Sequence, residues 1–456
     1  HMASADEIDA VVSKAQAAWP AWRDLAPGAR ADVLRKFAQV VSESNEELAK
    51  LEVLEAGHTI GNARWEAQNV ANVLNYMAGG VERLTGHQIP VPGGIDITFH
   101  EAIGVVGIIV PWNFPMPVAA WGFAPALAAG NTVVLKPAET TPLTALRLAE
   151  LALEAGIPEN VFNVVPGFGK IAGQRIVDHP AIRKICFTGS TAVGTSIMQS
   201  SASQLKRVTL ELGGKSPTII FADADLDAAI DNALTAVFLH SGQVCSAGAR
   251  LLVEKSIHDR VVTEIVRRAK AIYVGGPDDP RTETGPLISK DHLAKVETYM
   301  QDAVKDGATI LVGGSRIDRE DLNKGWYFPP TVIDNCQSKM KCVQDESFGP
   351  IMTIETFESV EEAITLGNDT IYGLSGAVWC ADKKIANRVA GALRHGTIWV
   401  NDFGPYRPQA EWGGFKASGV GRELGEAGLD EYLEIKHIWT NNEPSKSGWF
   451  SDRGDG

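Results

Sequence analysis

The sequence predicts an α/β protein made of two doubly wound α/β domains, with a β-hairpin at one edge. Three observations carry that expectation. Short apolar strands alternate with amphipathic helical stretches, which is the signature of mostly parallel sheets. The chain has 456 residues, too many for one simple core. Chemically distinctive residues also stand where strands end, and that is where such sheets bind ligands.

Residues 5 to 85 read as helices, with Ala-rich apolar positions at helical spacing from Ile8 to Trp22 and from Val33 to Leu54. They suit a covering layer. Between Ile89 and Phe99, Pro-Val-Pro-Gly-Gly and an alternating Ile-Asp-Ile-Thr-Phe predict the hairpin. Five strands follow: Val105 to Val110, Thr132 to Lys136, Val161 to Val165, Lys184 to Phe187 and Val208 to Glu211. Helical stretches separate them, such as Pro142 to Ala155, closed by Gly156. Beyond Gly214 a second alternation begins. Strand Pro217 to Phe221 leads into a helix capped near Asp223 or Asp225; then come Arg250 to Val253, a helix from Ile257, Ile351 to Phe357, a helix near Val360 to Leu366, and Thr397 to Val400. Leu433 to Trp439 alternates like an edge strand, and the Gly/Ser-rich tail after Asn442 reads as mobile.

Composition narrows the function. Apolar residues make up 45% and charged residues 21%, the balance of an ordinary globular protein. Apolar runs such as Val105 to Val110 fall far short of the roughly 20 residues a membrane-spanning helix needs, and no lipidation motif is present. A net charge of -14 argues against nucleic-acid partners, which want clustered basic surface. Five cysteines in so long a chain, with no Cys-x-x-Cys, form neither a disulfide framework nor a structural zinc motif. A cytoplasmic setting is expected. The opening His1-Met2 reads as a cloning remnant.

Glu211-Leu-Gly-Gly-Lys215 and Ser241-Gly-Gln-Val-Cys245-Ser246 pair a candidate base with a candidate nucleophile. A carboxylate closing a strand, and a cysteine among small residues whose amides can approach a substrate oxygen, suit acyl chemistry on sulfur. The bland alternative for Cys245 is a buried small hydrophobe. In Phe187-Thr-Gly189-Ser190-Thr-Ala-Val-Gly194 a strand runs into a helix N-terminus through small residues, a setting for phosphate. Gly167-Phe-Gly169 offers a similar turn without the usual dinucleotide spacing. Lys136 and Glu139 read either as a solvated pair or as groups for an adenosine ribose. His240 is the one histidine near Cys245 in sequence and would serve a cysteine hydrolase, although it reads as sitting on a helix face. A non-catalytic binding or structural protein is the other alternative.

Pro111-Trp-Asn-Phe-Pro115, Lys136-Pro-Ala-Glu139, Phe187-Thr-Gly-Ser190, Glu211-Leu-Gly-Gly214, Gly242-Gln-Val-Cys245, Glu346-Ser-Phe-Gly-Pro350 and Asn401 together resemble, in order, the signatures of the NAD(P)-dependent aldehyde dehydrogenase superfamily. The resemblance runs from about residue 5 to about residue 440. It implies an NAD-binding domain at 3–85 and 103–213, a catalytic domain at 214–425, and a β oligomerisation element at 86–102 and 430–442 that makes a homodimer or homotetramer. Family members usually carry a strand pair ahead of the first helix, where this chain starts. The implied chemistry is addition of the Cys245 thiolate to an aldehyde. Asn113 and the Cys245 N–H would hold the oxyanion, hydride would pass to a nicotinamide, and Glu211 would activate the water that hydrolyses the thioester. No metal is required.

The same resemblance assigns the cofactor, NAD with NADP possible, to Trp112, Lys136, Glu139, Gly169, Gly189, Ser190, Gly194, Leu212, Glu346 and Phe348. Glu139 would accept from a ribose 2′-hydroxyl and repel a 2′-phosphate. Pro408-Gln-Ala-Glu-Trp412-Gly-Gly and Gly419-Val-Gly-Arg-Glu-Leu-Gly425 resemble the betaine-aldehyde and amino-aldehyde branch. There Phe114, Trp121 and Trp412 would line the substrate entrance, with Leu239 where some members carry an aromatic. The implied substrate is betaine aldehyde or a related amino-aldehyde, with an uncharged aliphatic aldehyde as the alternative.

Overall fold

The computed structural model describes residues 1–450; residues 451–456, the end of the tail expected to be mobile, lie outside it. The four opening helices, Ala5–Arg23, Pro27–Glu43, Asn45–Ala56 and Ile60–Val81, are as the periodicity predicts. The first is fixed at its start by a capping box, in which the Ser4 side chain accepts from Glu7 N and the Glu7 carboxylate accepts from Ser4 N.

Six strands form the first sheet, in the order Gly419–Val420, Arg207–Glu211, Ile182–Thr188, Val105–Ile109, Thr132–Lys136 and Phe162–Val164. All neighbours are parallel except the antiparallel first pair. Helices Pro27–Glu43, Ile60–Val81 and Pro115–Ala128 share one core against this sheet, while Ile8, Val12 and Ile176 fill the other face. Pro115–Ala128 is apolar all round and every residue in it is buried, so it runs through the core rather than along the surface. Asn113 lies at its entry.

The second sheet has seven strands, in the order Thr309–Val312, Thr331–Asp334, Ile351–Phe357, Arg250–Glu254, Pro217–Ile220, Ser375–Trp379 and Thr397–Val400, parallel apart from the first. Thr309–Val312, Thr331–Asp334, Ser375–Trp379 and Gly419–Val420 go beyond the sequence expectation. They are two to five residues long, too short to show a periodicity of their own. The last of them carries the C-terminal stretch back to the first sheet, where Gly419 pairs with Glu211 and Leu212 N donates to Ser418 O (2.9 Å).

A third, antiparallel sheet joins His87–Ile89, Gly94–Ala102 and Leu433–Asn441. The last strand is exposed along all but its first residue, and Ile95, Ile435, Ile438 and Trp439 present side chains to solvent. No helix is long and apolar enough to cross a membrane among the described residues.

Candidate active site

The segment before Cys245 departs from the expectation. Helix Leu226–Phe238 ends ahead of His240, and His240 and Ser241 take positive φ of 50° and 56°, so His240 sits in a kink rather than on a helix face. Gly242 has φ 72°, and a Cβ there would lie 2.0 Å from Gly349 O, so only glycine fits. Side chains pin the loop to residues 284–288: Ser241 Oγ donates to Gly285 O (2.5 Å), and Gln243 Oε1 accepts from Ile288 N (2.9 Å). Cys245 therefore has a fixed place in a cavity of about 320 Å³ that Asn113, Glu211 and Glu346 also line.

Asn113 is buried, and its Nδ2 donates to Gln243 O at 2.9 Å. An amide nitrogen carries two hydrogens, so one donor is left over. Glu211 ends its strand buried, and neither carboxylate oxygen has a hydrogen-bond partner. Burial, reinforced by nearby Glu423, holds its carboxyl well above the ordinary range. Burial pushes the Cys245 thiol up to about 12; the Glu346 and Glu211 carboxylates add to the push, and the N–H groups of Ser246 and Cys245 oppose it. Glu346 accepts from Gly214 N at 2.9 Å, and burial lifts it to about 7 against that bond and Lys215. A nucleophile, a free amide donor and two buried carboxyls raised above their ordinary range thus share one cavity, the groups that addition to a carbonyl and hydrolysis of the product call on.

The same cavity runs along the strand ends of the first sheet past Trp112, Gly189, Ser190, Leu212 and Phe348. Ser190 caps helix Thr191–Ala202, its Oγ accepting from Val193 N (3.4 Å). Gly194 is glycine for packing: a Cβ would meet Leu212 Cδ2 at 2.4 Å. Phe348 has φ 50° and sets its ring edge-on to Trp112, with centroids 5.4 Å apart. Thr188 Oγ1 is buried in this cleft with no partner. An orphaned hydroxyl beside a capped helix N-terminus fits a dinucleotide. Lys136, Glu139 and Gly169 adjoin one another. Glu139 Oε1 accepts from Gly169 N (2.9 Å), while Lys136 Nζ donates to Pro137 O (2.6 Å) and Gly167 O (3.0 Å) and stands 3.9 Å from Glu139 Oε2. Burial lowers the lysine.

The four substrate residues divide. Trp121 and Trp412 meet, with centroids 6.0 Å apart, and Tyr406 and Trp399 complete the cluster at 5.0 Å and 6.2 Å from Trp412. Trp121 and Trp412 are buried, whereas half-buried Tyr406 reaches toward the thiol, its hydroxyl 2.6 Å from Ser246 Oγ. Phe114 packs against the core beside Cys245 and edge-on to His240 (4.9 Å). Leu239 instead lines a separate depression with Arg267, Arg268 and Glu283. Asn401 serves the backbone: Oδ1 accepts from Cys380 N and Nδ2 donates to Cys380 O. Sequence reasoning missed Thr188 and His292, whose Nε2 lies 2.7 Å from Phe348 O. It also missed Glu423, which lies in a quoted motif and whose backbone pairs with Trp412.

A profile of the aldehyde dehydrogenase family matches residues 1–438. The chain belongs to the aldehyde dehydrogenase family. The dehydrogenase is 48% identical over 432 residues to the betaine aldehyde dehydrogenase of Bacillus subtilis (strain 168), covering 94% of this chain and 88% of the relative. To an aldehyde dehydrogenase of Emericella nidulans it is 43% identical over 441 residues, 96% of this chain and 88% of the relative. The crystal structure of Staphylococcus aureus betaine aldehyde dehydrogenase in complex with NAD+ superposes with a TM-score of 0.98 at 44% identity, over 99% of this chain and 90% of that one.

Proposed function

We propose that this dehydrogenase oxidises a cationic aldehyde, betaine aldehyde or an ω-amino- or trimethylamino-aldehyde, to its carboxylic acid with NAD. The carrying observation is the cluster of Trp121, Trp399, Tyr406 and Trp412, joined to the Cys245 segment by the contact of the Tyr406 hydroxyl with Ser246 Oγ. Aromatic faces attract a quaternary ammonium. The betaine aldehyde dehydrogenases among its relatives point the same way.

Cys245 loses its thiol proton to solvent, the thiolate bonds to the aldehyde carbon, and the carbonyl electron pair moves onto oxygen. The spare Asn113 N–H and the Cys245 N–H hold that oxyanion. The nicotinamide cofactor, when bound, supplies the two-electron acceptor that oxidation needs. Glu211 then takes a proton from water, whose oxygen adds to the thioester carbon, and Cys245 leaves as thiolate. Residues 3–85 and 103–213 would hold the cofactor, with Thr188, Gly189, Ser190, Glu346 and Phe348 along the cleft, and residues 214–425 would carry the thiol. Glu139 favours NAD over NADP by repelling a 2′-phosphate, and Lys136, 3.9 Å from Glu139 Oε2, offsets part of that repulsion, so the preference is modest and NADP stays possible. The exposed apolar side chains of the third sheet, 86–102 with 430–442, support a homodimer or homotetramer built on that face. Five free cysteines suit a reducing cytoplasm.

Burial of Trp121 and Trp412 favours a second reading, an apolar wall serving an uncharged aliphatic aldehyde. Catalytic efficiency on betaine aldehyde against its uncharged isostere 3,3-dimethylbutanal, followed by NADH absorbance, decides between them. A clear preference for the cation is expected. Equal or higher efficiency on the neutral compound would replace the first reading by the second.

A further inference from the structure

Beside the oxyanion donors lies a polar cluster that the thiol chemistry does not use. His58 follows helix Asn45–Ala56, Glu66 lies on Ile60–Val81, and His240 precedes Cys245; all three are buried. His58 Nδ1 stands 2.7 Å and His240 Nε2 3.4 Å from the same Glu66 Oε1, and the two imidazole rings are 3.8 Å apart. Glu52 Oε1 is 3.6 Å from His58 Nδ1. Glu66 Oε2 and both oxygens of Glu52 are buried without a hydrogen-bond partner. Among the described residues this is the one group of three or more such side chains whose donor atoms lie within 4.8 Å of one another.

We propose that His58, Glu66 and His240, with Glu52 beside them, bind a divalent cation of the zinc class. Imidazole nitrogen with carboxylate oxygen is the donor set that zinc-like ions take and that magnesium and calcium do not. Four bonds of about 2.0–2.2 Å in a tetrahedron place donors about 3.3 Å apart. The His240–Glu66 spacing of 3.4 Å already suits this, the His58–Glu66 pair, at 2.7 Å, has to open by a rotation of the carboxylate, and the two imidazole rings, 3.8 Å apart, have to splay to about 5 Å. Charge also balances, since a dication cancels two carboxylates while the imidazoles stay neutral, so the interior holds no unpaired ion. A proton shared between His58 and Glu66 satisfies one Glu66 oxygen only, and a proton held between Glu52 and Glu66 satisfies one oxygen of each, whereas a cation gives the orphaned oxygens a common ligand. None of the four lines the cavity that holds Cys245. Phe114 packs against both imidazoles, at 5.8 Å from His58 and 4.9 Å from His240, and His58 is hydrogen-bonded to the Asn113 backbone.

Cobalt(II) is the probe, added to chelator-treated full-length protein carrying Cys245→Ala so that the catalytic thiol is not a competing ligand. One cobalt per chain is expected, with the visible absorption of four-coordinate cobalt, no thiolate charge-transfer band, and displacement by zinc. Glu66→Gln and His240→Asn, each added separately, should weaken binding at least about tenfold. Circular dichroism and melting temperature identify whichever variant keeps its fold, and that one is scored. Less than one cobalt per Cys245→Ala chain, or unchanged affinity in the folded variant, would overturn the site.

Discussion

One side of Cys245 is built from strand ends and the other from rings, and the two are assembled by different means. On the first side Glu211 closes its strand, Gly189 and Ser190 follow the next one, and Glu346 bonds Gly214 across the cleft. Each position is fixed by a parallel ladder or a helix cap, within a few residues of the side chain it presents. On the other side Trp121 comes from a buried helix, Trp399 from an outer strand, and Tyr406 and Trp412 from a long loop. These rings meet only through tertiary packing. The contrast explains why reaction chemistry can be shared widely on one fold while the substrate is chosen by parts that vary independently.

The largest effect is expected on the strand-end side. Asn113→Ala removes a preorganised donor and should lower kcat by about 10²–10³-fold with NAD affinity retained. Steady-state kinetics and a fluorescence titration measure the two. A loss confined to KM would move Asn113 from the oxyanion to ground-state binding.

Next comes the thiol itself. A thiol pushed up to about 12 is mostly protonated in the free enzyme at neutral pH, so its thiolate fraction grows about tenfold per pH unit below that value. Iodoacetamide alkylation of Cys245, corrected with Cys245→Ala, should therefore climb without a plateau from about pH 7 to about pH 10. Glu346→Gln removes the larger of the two neighbouring negative charges that raise the thiol, and should speed alkylation at fixed pH. A plateau near neutrality would show that another group activates the sulfur.

The smallest effect belongs to the rings. Replacing one well-placed ring should cost about 0.5–2 kcal/mol of cation preference, so Tyr406→Leu or Trp412→Ala should lower the betaine aldehyde to 3,3-dimethylbutanal ratio by about two- to thirtyfold. Tyr406→Leu is expected to matter more, because Tyr406 is half-buried beside Ser246 while Trp412 is buried behind it.

The same contrast governs what could be read in advance. Glu211, Ser190, Gly194 and Asn113 were legible because strand period, helix capping and turn chemistry operate over a few residues. Tyr406 and Trp399 were not, since nothing local says that a loop and an outer strand converge. Leu239 was drawn toward the entrance by position alone, and the kink at His240 and Ser241 turns its surroundings elsewhere. The short strands Ser375–Trp379 and Gly419–Val420 escaped because they are too short to show a periodicity of their own. His58 and Glu66 were hidden as well: an isolated histidine and a glutamate on a helix carry no signal until the helices pack.

Glu211→Gln mixed rapidly with NAD and aldehyde, then quenched for peptide mass spectrometry, asks whether Cys245 carries the acyl group and Glu211 brings the water. The expected result is a burst of about one NADH per active site, a slow phase at least about 10²-fold below the wild-type rate, and the acyl mass on the Cys245 peptide. A normal steady-state rate, or a burst that leaves Cys245 unmodified, would contradict it.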